Sequence, residues 1–182
     1  KHSEQIWKGV PLIASNMDTV GTIEMYHSLK NHNMLTCFHK FLKEYPENER
    51  NKYIVSIGIR DKDFQKLESL YQISPEKCNL VCVDVANGYM DSLLVFCQRV
   101  RELIPHCILI AGNVVTGDRT KELILEGKVD IVKVGIGNGS VCTTRLQTGC
   151  GMPQLSALLE CGASAHEVGG HILCDGGITC PG

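Results

Sequence analysis

Ile131-Val132-Lys133-Val134-Gly135-Ile136-Gly137-Asn138-Gly139-Ser140-Val141-Cys142-Thr143-Thr144-Arg145 is the stretch on which the reading of this chain turns. The run Ile131 to Val134 reads as a buried strand, and it feeds a loop with three glycines at alternate positions. Glycines there let backbone approach a ligand or ion closely. The loop then offers carbonyls and amides, hydroxyls, one thiol at Cys142 and one fixed cation at Arg145. That set suits a covalent cysteine enzyme acting on an anionic substrate. A cysteine taken alone is more often a small buried hydrophobe, so the loop context carries the reading.

Six further apolar runs lie on either side: Pro11–Ala14, Met34–Phe38, Tyr53–Ile57, Leu80–Val85, Ile108–Ala111 and His171–Cys174. Most are near-continuously apolar, the pattern of parallel strands buried on both faces. Amphipathic stretches alternate with them: Asp63–Tyr71, Met90–Leu103, Arg119–Leu125, and Pro153–Val168, which ends at Gly169-Gly170. Pro153 suits a first helical position. This is the rhythm of repeated βα units. The longest interval runs from Ile131 to His171 and holds the Cys142 loop, and an enlarged loop after a strand is where α/β proteins usually place their chemistry.

Two architectures fit, an open doubly wound sheet or a (β/α)8 barrel. No G-x-G-x-x-G opens a helix after the first strand, which counts against a dinucleotide-binding Rossmann domain. Seven strand-sized runs favour an α/β (β/α)8 TIM barrel, with residues 1–182 forming one domain. A complete barrel takes about 250 residues, so the expectation is an incomplete one with about seven of its eight strands.

Composition narrows the class. The chain has 182 residues, 43% of them hydrophobic, enough for a substantial core. A net charge of −2 gives no basic footprint for nucleic acid. No apolar run reaches the roughly 18 residues of a membrane span, and no signal peptide is visible ahead of Lys1. The ten cysteines include no C-x-x-C pair and read as reduced thiols of a cytoplasmic protein, without disulfide or zinc. Cys78 and Cys82, four apart, would share one face of a strand. His39, beside Lys40, reads as a satisfied polar residue at a strand end.

Five motifs in order carry a resemblance: Asn16-Met17-Asp18-Thr19-Val20-Gly21-Thr22, Asp84-Val85-Ala86-Asn87-Gly88-Tyr89, Ala111-Gly112-Asn113-Val114-Val115-Thr116-Gly117, the Cys142 loop, and Asp175-Gly176-Gly177. Together they resemble the GMP reductases of the IMP dehydrogenase/GMP reductase superfamily of (β/α)8 barrels. The resemblance covers nearly all of the chain and is weakest from Phe41 to Lys62. The sister dehydrogenases usually carry an Asp-Ser-Ser-Gln-Gly type sequence where this chain has Asp84-Val85-Ala86-Asn87-Gly88, and most also carry an inserted CBS pair that is missing here.

The resemblance implies NADPH-dependent reductive deamination of GMP to IMP and ammonia through a Cys142 thioimidate. It makes Cys142 the nucleophile and Thr144 the residue that relays a proton to the leaving ammonia, a task a hydroxyl performs only within a relay. It makes Ser140, Gly176 and Gly177 phosphate contacts, and Asp175 the carboxylate that accepts from the two ribose hydroxyls. Lys40, Asp84, Val85, Ala86, Ile136 and Gly137 match the NADPH site. Gly137, Gly139, Cys142 and Arg145 match a monovalent-cation site, commonly potassium. The implied assembly is a homotetramer.

The chain departs from the family at Asn138, where a Pro is usual; this loosens a backbone restraint. Cys150 and Met152 stand where Val and Tyr are common. Both ends of the family's barrel, including the eighth strand and a Glu-bearing flap, are missing, so the sequence reads as truncated and the chain alone as inactive and prone to self-association. The alternatives are an IMP dehydrogenase-like enzyme, or a truncated non-catalytic paralogue that associates with full-length subunits.

Overall fold

The structure, a computed structural model, describes residues 1–46 and 52–180. It has two compact units, one of His2–Asp84 with Arg99–Leu109, the other of Lys1, Val85–Gln98 and Ile110–Gly182.

In the first unit, four parallel strands pair in chain order: β1 (Ile13–Ala14), β2 (Leu35–Phe38), β3 (Tyr53–Ile57) and β4 (Leu80–Asp84). Every residue of β2 and β3 is buried. That absence of alternation means both faces are covered, as in a parallel sheet. Helix α1 (Ile23–Leu29) starts where the Thr22 hydroxyl accepts the Met25 N–H, an N-cap bond. Its buried Tyr26 meets Phe38 and Tyr53 at ring-centroid distances of 5.6 and 5.8 Å, so one aromatic cluster joins the helix to β2 and β3. Helix α2 (Asp61–Ile73) begins where the Asp63 carboxylate takes the Arg60 N–H at 3.1 Å, and it buries Leu67 completely.

In the second unit, β5 (Ile108–Val114, from Ile110 on), β6 (Ile131–Val134) and β7 (His171–Cys174) are again parallel and in chain order. Helix α4 (Gly117–Leu125) packs on α6 (Gln154–Glu167), and Leu123, Ile124, Ala157 and Cys161 on these two helices are fully buried. The Glu160 carboxylate accepts the Gly117 N–H at 2.8 Å and ties the two helices at that end. Arg119 is 6% exposed and its guanidinium donates to the carbonyls of Gly88 and Met90 and to Glu122, so the buried charge is fully answered. Helix α3 (Asp91–Leu103) gives residues to both units.

Among the described residues, seven parallel strands separated by helices make this an α/β chain of the (β/α)8-barrel class. Among the described residues no helix is long and apolar enough to cross a membrane.

The elements differ from the sequence expectation at their ends. β1 is only Ile13–Ala14, because Pro11 donates no ladder bond and Leu12 is 61% exposed. β5 runs on to Val114 through a register irregularity between Gly112 and Val114. Pro153 is the cap of α6 rather than its first residue. Cys78 lies in a 3-10 turn (Pro75–Cys78), not on the strand of Cys82, so the two do not share a strand face. None of the ten cysteines is in a disulfide.

Leu123→Ala, at a fully buried site, is expected to cost about 3 kcal/mol, the usual transfer-plus-cavity loss. Leu125→Ala, at a position 43% exposed, is expected to stay within about 0.5 kcal/mol. Urea unfolding of the two variants checks the contrast.

Candidate active site

The Cys142 loop is closed at its base. After β6 the chain leaves through Gly135 and returns when the Met152 N–H donates to the Ile136 carbonyl at 3.2 Å. Between these points lies α5 (Thr144–Thr148), whose last turn is completed by the Gly149 N–H on the Arg145 carbonyl at 3.0 Å. The aliphatic stem of Arg145 lies against both Gly137 and Gly151, within 2.5 and 2.6 Å of where a Cβ would stand. Gly137 also has φ +71°, so a side chain there meets a steric and a conformational barrier together. Arg145 thus braces the loop with its methylenes while its side chain stays exposed.

Cys142 is half-buried, with Sγ 3.3 Å from the Thr144 hydroxyl oxygen. Hydrogen bonding from that hydroxyl, then from the Thr144 backbone, holds the thiol below its ordinary range; the Gly137 backbone adds to this and slight burial opposes it. The effect favours the thiolate, the nucleophilic form.

Asp175 follows β7. Its Oδ2 accepts from Lys133 Nζ at 3.0 Å and from Asn113 Nδ2. Its backbone carbonyl accepts from Asn138 Nδ2 at 2.8 Å. Asn138 lacks the backbone restraint that a Pro would impose there, and its side-chain amide ties the loop to the end of β7. Gly176 and Gly177 follow with φ of 66° and 74°, and Gly177 packs on Asn138. Ser140 is exposed beside Cys142.

One unit therefore brings together Cys142, Thr144, Ser140, Gly137, Gly139, Arg145 and Asp175 with its two glycines. Val85 lies in the same unit, where it exchanges backbone bonds with Gly112 and Asn113 at 2.9 and 3.0 Å; Ala86 beside it is exposed. Lys40 and Asp84 belong to the other unit. Lys40 is exposed at the end of β2, and its carbonyl is held by Lys66 Nζ at 2.8 Å. His39 is not the satisfied polar residue expected, since its Nδ1 is buried with no hydrogen-bond partner among the described residues. Sequence reasoning missed Lys133 and Asn113, which hold Asp175. The available signal was a charge inside an apolar strand run.

Fold and loop together define a βα-barrel protein that presents a half-buried cysteine on an enlarged, braced loop after its sixth strand. The sequence model of the IMP dehydrogenase / GMP reductase domain matches residues 1–182. The chain is 49% identical over 191 residues to the GMP reductase of Vibrio cholerae serotype O1 (strain ATCC 39541 / Classical Ogawa 395 / O395), covering 100% of this chain and 54% of that protein. It has the same identity and coverage against the GMP reductase of Yersinia pestis (strain Pestoides F). The crystal structure of inosine 5' monophosphate dehydrogenase from Legionella pneumophila superposes with a TM-score of 0.79 at 28% identity, over 93% of this chain and 52% of that one. The chain belongs to the IMP dehydrogenase/GMP reductase family, and it spans about half the length of the curated relatives it matches.

Removing the Thr144 hydroxyl removes the largest cause of the low Cys142 pKa. Thr144→Ala is expected to move the pH midpoint of Cys142 alkylation upward and to slow labelling at neutral pH. Iodoacetamide labelling followed by peptide mass spectrometry across pH measures this; an unmoved midpoint would sink the assignment.

Proposed function

We propose that this chain carries the cysteine half of a GMP reductase site, acting in NADPH-dependent reductive deamination of GMP to IMP and ammonia. The observation that carries the reading is the Cys142–Thr144 pair, 3.3 Å apart on a loop whose tether reaches Asp175. The 49% identity to proteins named GMP reductase, against 28% to a dehydrogenase, supports the reductase over its sister.

The Cys142 thiolate attacks C2 of the guanine ring. The C2–S bond forms, the C2–N bond breaks, and the amino group leaves as ammonia after taking a proton relayed through Thr144. The product of this step is a thioimidate. When bound, the nicotinamide cofactor supplies the hydride that reduces C2. Cys142 then leaves as thiolate and IMP is released. Asp175 accepts from the ribose hydroxyls, while Ser140 and the backbone of Gly176 and Gly177 contact the phosphate.

The donor chemistry of the chain fits the implied groups. Lys40 and Lys66 place two ammonium groups at the end of β2, which suits a phosphorylated dinucleotide. Lys40, Asp84, Val85, Ala86, Ile136 and Gly137 would contact NADPH. The loop offers uncharged carbonyls at Gly137, Gly139 and Cys142, with Arg145 beside them, a set that suits a weakly held monovalent cation such as potassium. In this structure the Gly139 carbonyl also accepts the Cys142 N–H at 3.0 Å, so an ion there would act on the orientation of the thiol. The ten cysteines, none of them in a disulfide, support a reducing, cytoplasmic setting, and the proposed assembly is a homotetramer.

Incubation with 6-chloropurine ribonucleotide, an electrophilic purine nucleotide, is expected to add one nucleotide to the intact mass of the chain, and Cys142→Ala is expected to abolish the adduct. A folded chain, by circular dichroism, that takes no adduct overturns the catalytic reading. It would favour a non-catalytic subunit that associates with full-length partners.

A further inference from the structure

Lys133 stands in the middle of β6, between Val132 and Val134, and is 7% exposed. An ammonium group taken out of water is costly unless it is paired and hydrogen-bonded. Here its Nζ lies 3.0 Å from Asp175 Oδ2. The strand beside it leaves room for this side chain: a Cβ at Gly112 would stand 2.7 Å from the Lys133 Cβ. The next residue of β5, Asn113, sends its Nδ2 to the same carboxylate oxygen and also to the Gly135 carbonyl at 2.7 Å.

Two donors from two neighbouring strands thus converge on one oxygen of Asp175. A carboxylate held by one oxygen from two directions cannot turn about its Cβ–Cγ bond. Its second oxygen is then presented in one direction, with the side chain still 28% exposed. The Asn113 Oδ1 on the same amide is buried with no hydrogen-bond partner among the described residues.

We propose that Lys133, seconded by Asn113, is a positioning residue that fixes Asp175 so that the nucleotide's ribose hydroxyls are read, and that it thereby sets the preference for ribonucleotides over 2′-deoxyribonucleotides. The inference rests on the function proposed above, which gives Asp175 the ribose. Lys133 does not touch the nucleotide. It acts by holding Oδ2, and its loss frees the carboxylate to rotate and to pair with water.

The test is the rate of Cys142 labelling by 6-chloropurine ribonucleotide and by its 2′-deoxy analogue, measured against concentration. In the unmodified chain the ribonucleotide is expected to half-saturate at roughly tenfold lower concentration, the size of one hydrogen bond to a charged group. Lys133→Met is expected to raise that concentration to the deoxy value while leaving the saturated labelling rate unchanged. Lys133→Arg should restore part of the preference. The Lys133→Met/Asp175→Asn double variant removes both charges of the pair and guards against a folding defect. It should be no worse than Asp175→Asn alone, since the two residues act as one unit. Full ribose preference retained in a folded Lys133→Met chain overturns the inference. So does additive loss in the double variant, or a fall in the saturated labelling rate with the preference intact. If the unmodified chain takes no label from either analogue, the reductase reading itself fails, and this inference with it.

Discussion

A charge buried on a strand has to be answered, and the answer given to Lys133 organises the end of the second unit. Its partner Asp175 lies just past β7. The carboxylate holds the ammonium and the Asn113 amide, and the carbonyl of the same residue holds Asn138. Through Asn138 the arrangement reaches the glycine loop, and through Arg145 and the two glycines it braces, it reaches the turn that carries Cys142 and Thr144. Removing one partner of such a pair leaves the other charge stranded in a poorly solvated place, which is why breaking a buried pair costs more than the pair itself contributes.

The strands were legible where burial on both faces left a plain apolar run. Tyr53–Ile57, Ile131–Val134 and His171–Cys174 have the same bounds in sequence and structure. Short helices were not legible. α1 buries only Tyr26, and α5 carries Leu146 at 85% exposure, so neither has an apolar stripe to read. Cys142, Thr144 and Asp175 were named from motif and loop context, and all three lie in one unit. Lys133 was not named, since a hydropathy pattern treats one lysine in an apolar run as an interruption, and its meaning depends on a carboxylate forty-odd residues away that only the β6–β7 register brings beside it. The bond that Asn138 makes was hidden for a related reason. A residue change judged on backbone freedom alone says nothing of the bond its side chain makes.

The cysteines show how environment divides one chemistry. Burial pushes the Cys78 thiol up to about 12, with the nearby Cys107 thiol adding to it, and raises Cys161 as well. Cys142 moves the other way because donors face its sulfur. At neutral pH a thiol held near 12 is protonated and inert. Cys78 therefore serves as a packing atom, and the Cys142 thiol is set apart from it by hydrogen bonding as well as by exposure.

The tether from Asn138 ends on the main-chain oxygen of residue 175, not on its carboxylate. Any amino acid at that position would present the same oxygen. The loop's anchorage is thus blind to the side chain at position 175, and the two can diverge independently. A lineage could exchange the acid at 175 without having to rebuild the loop that holds the thiol.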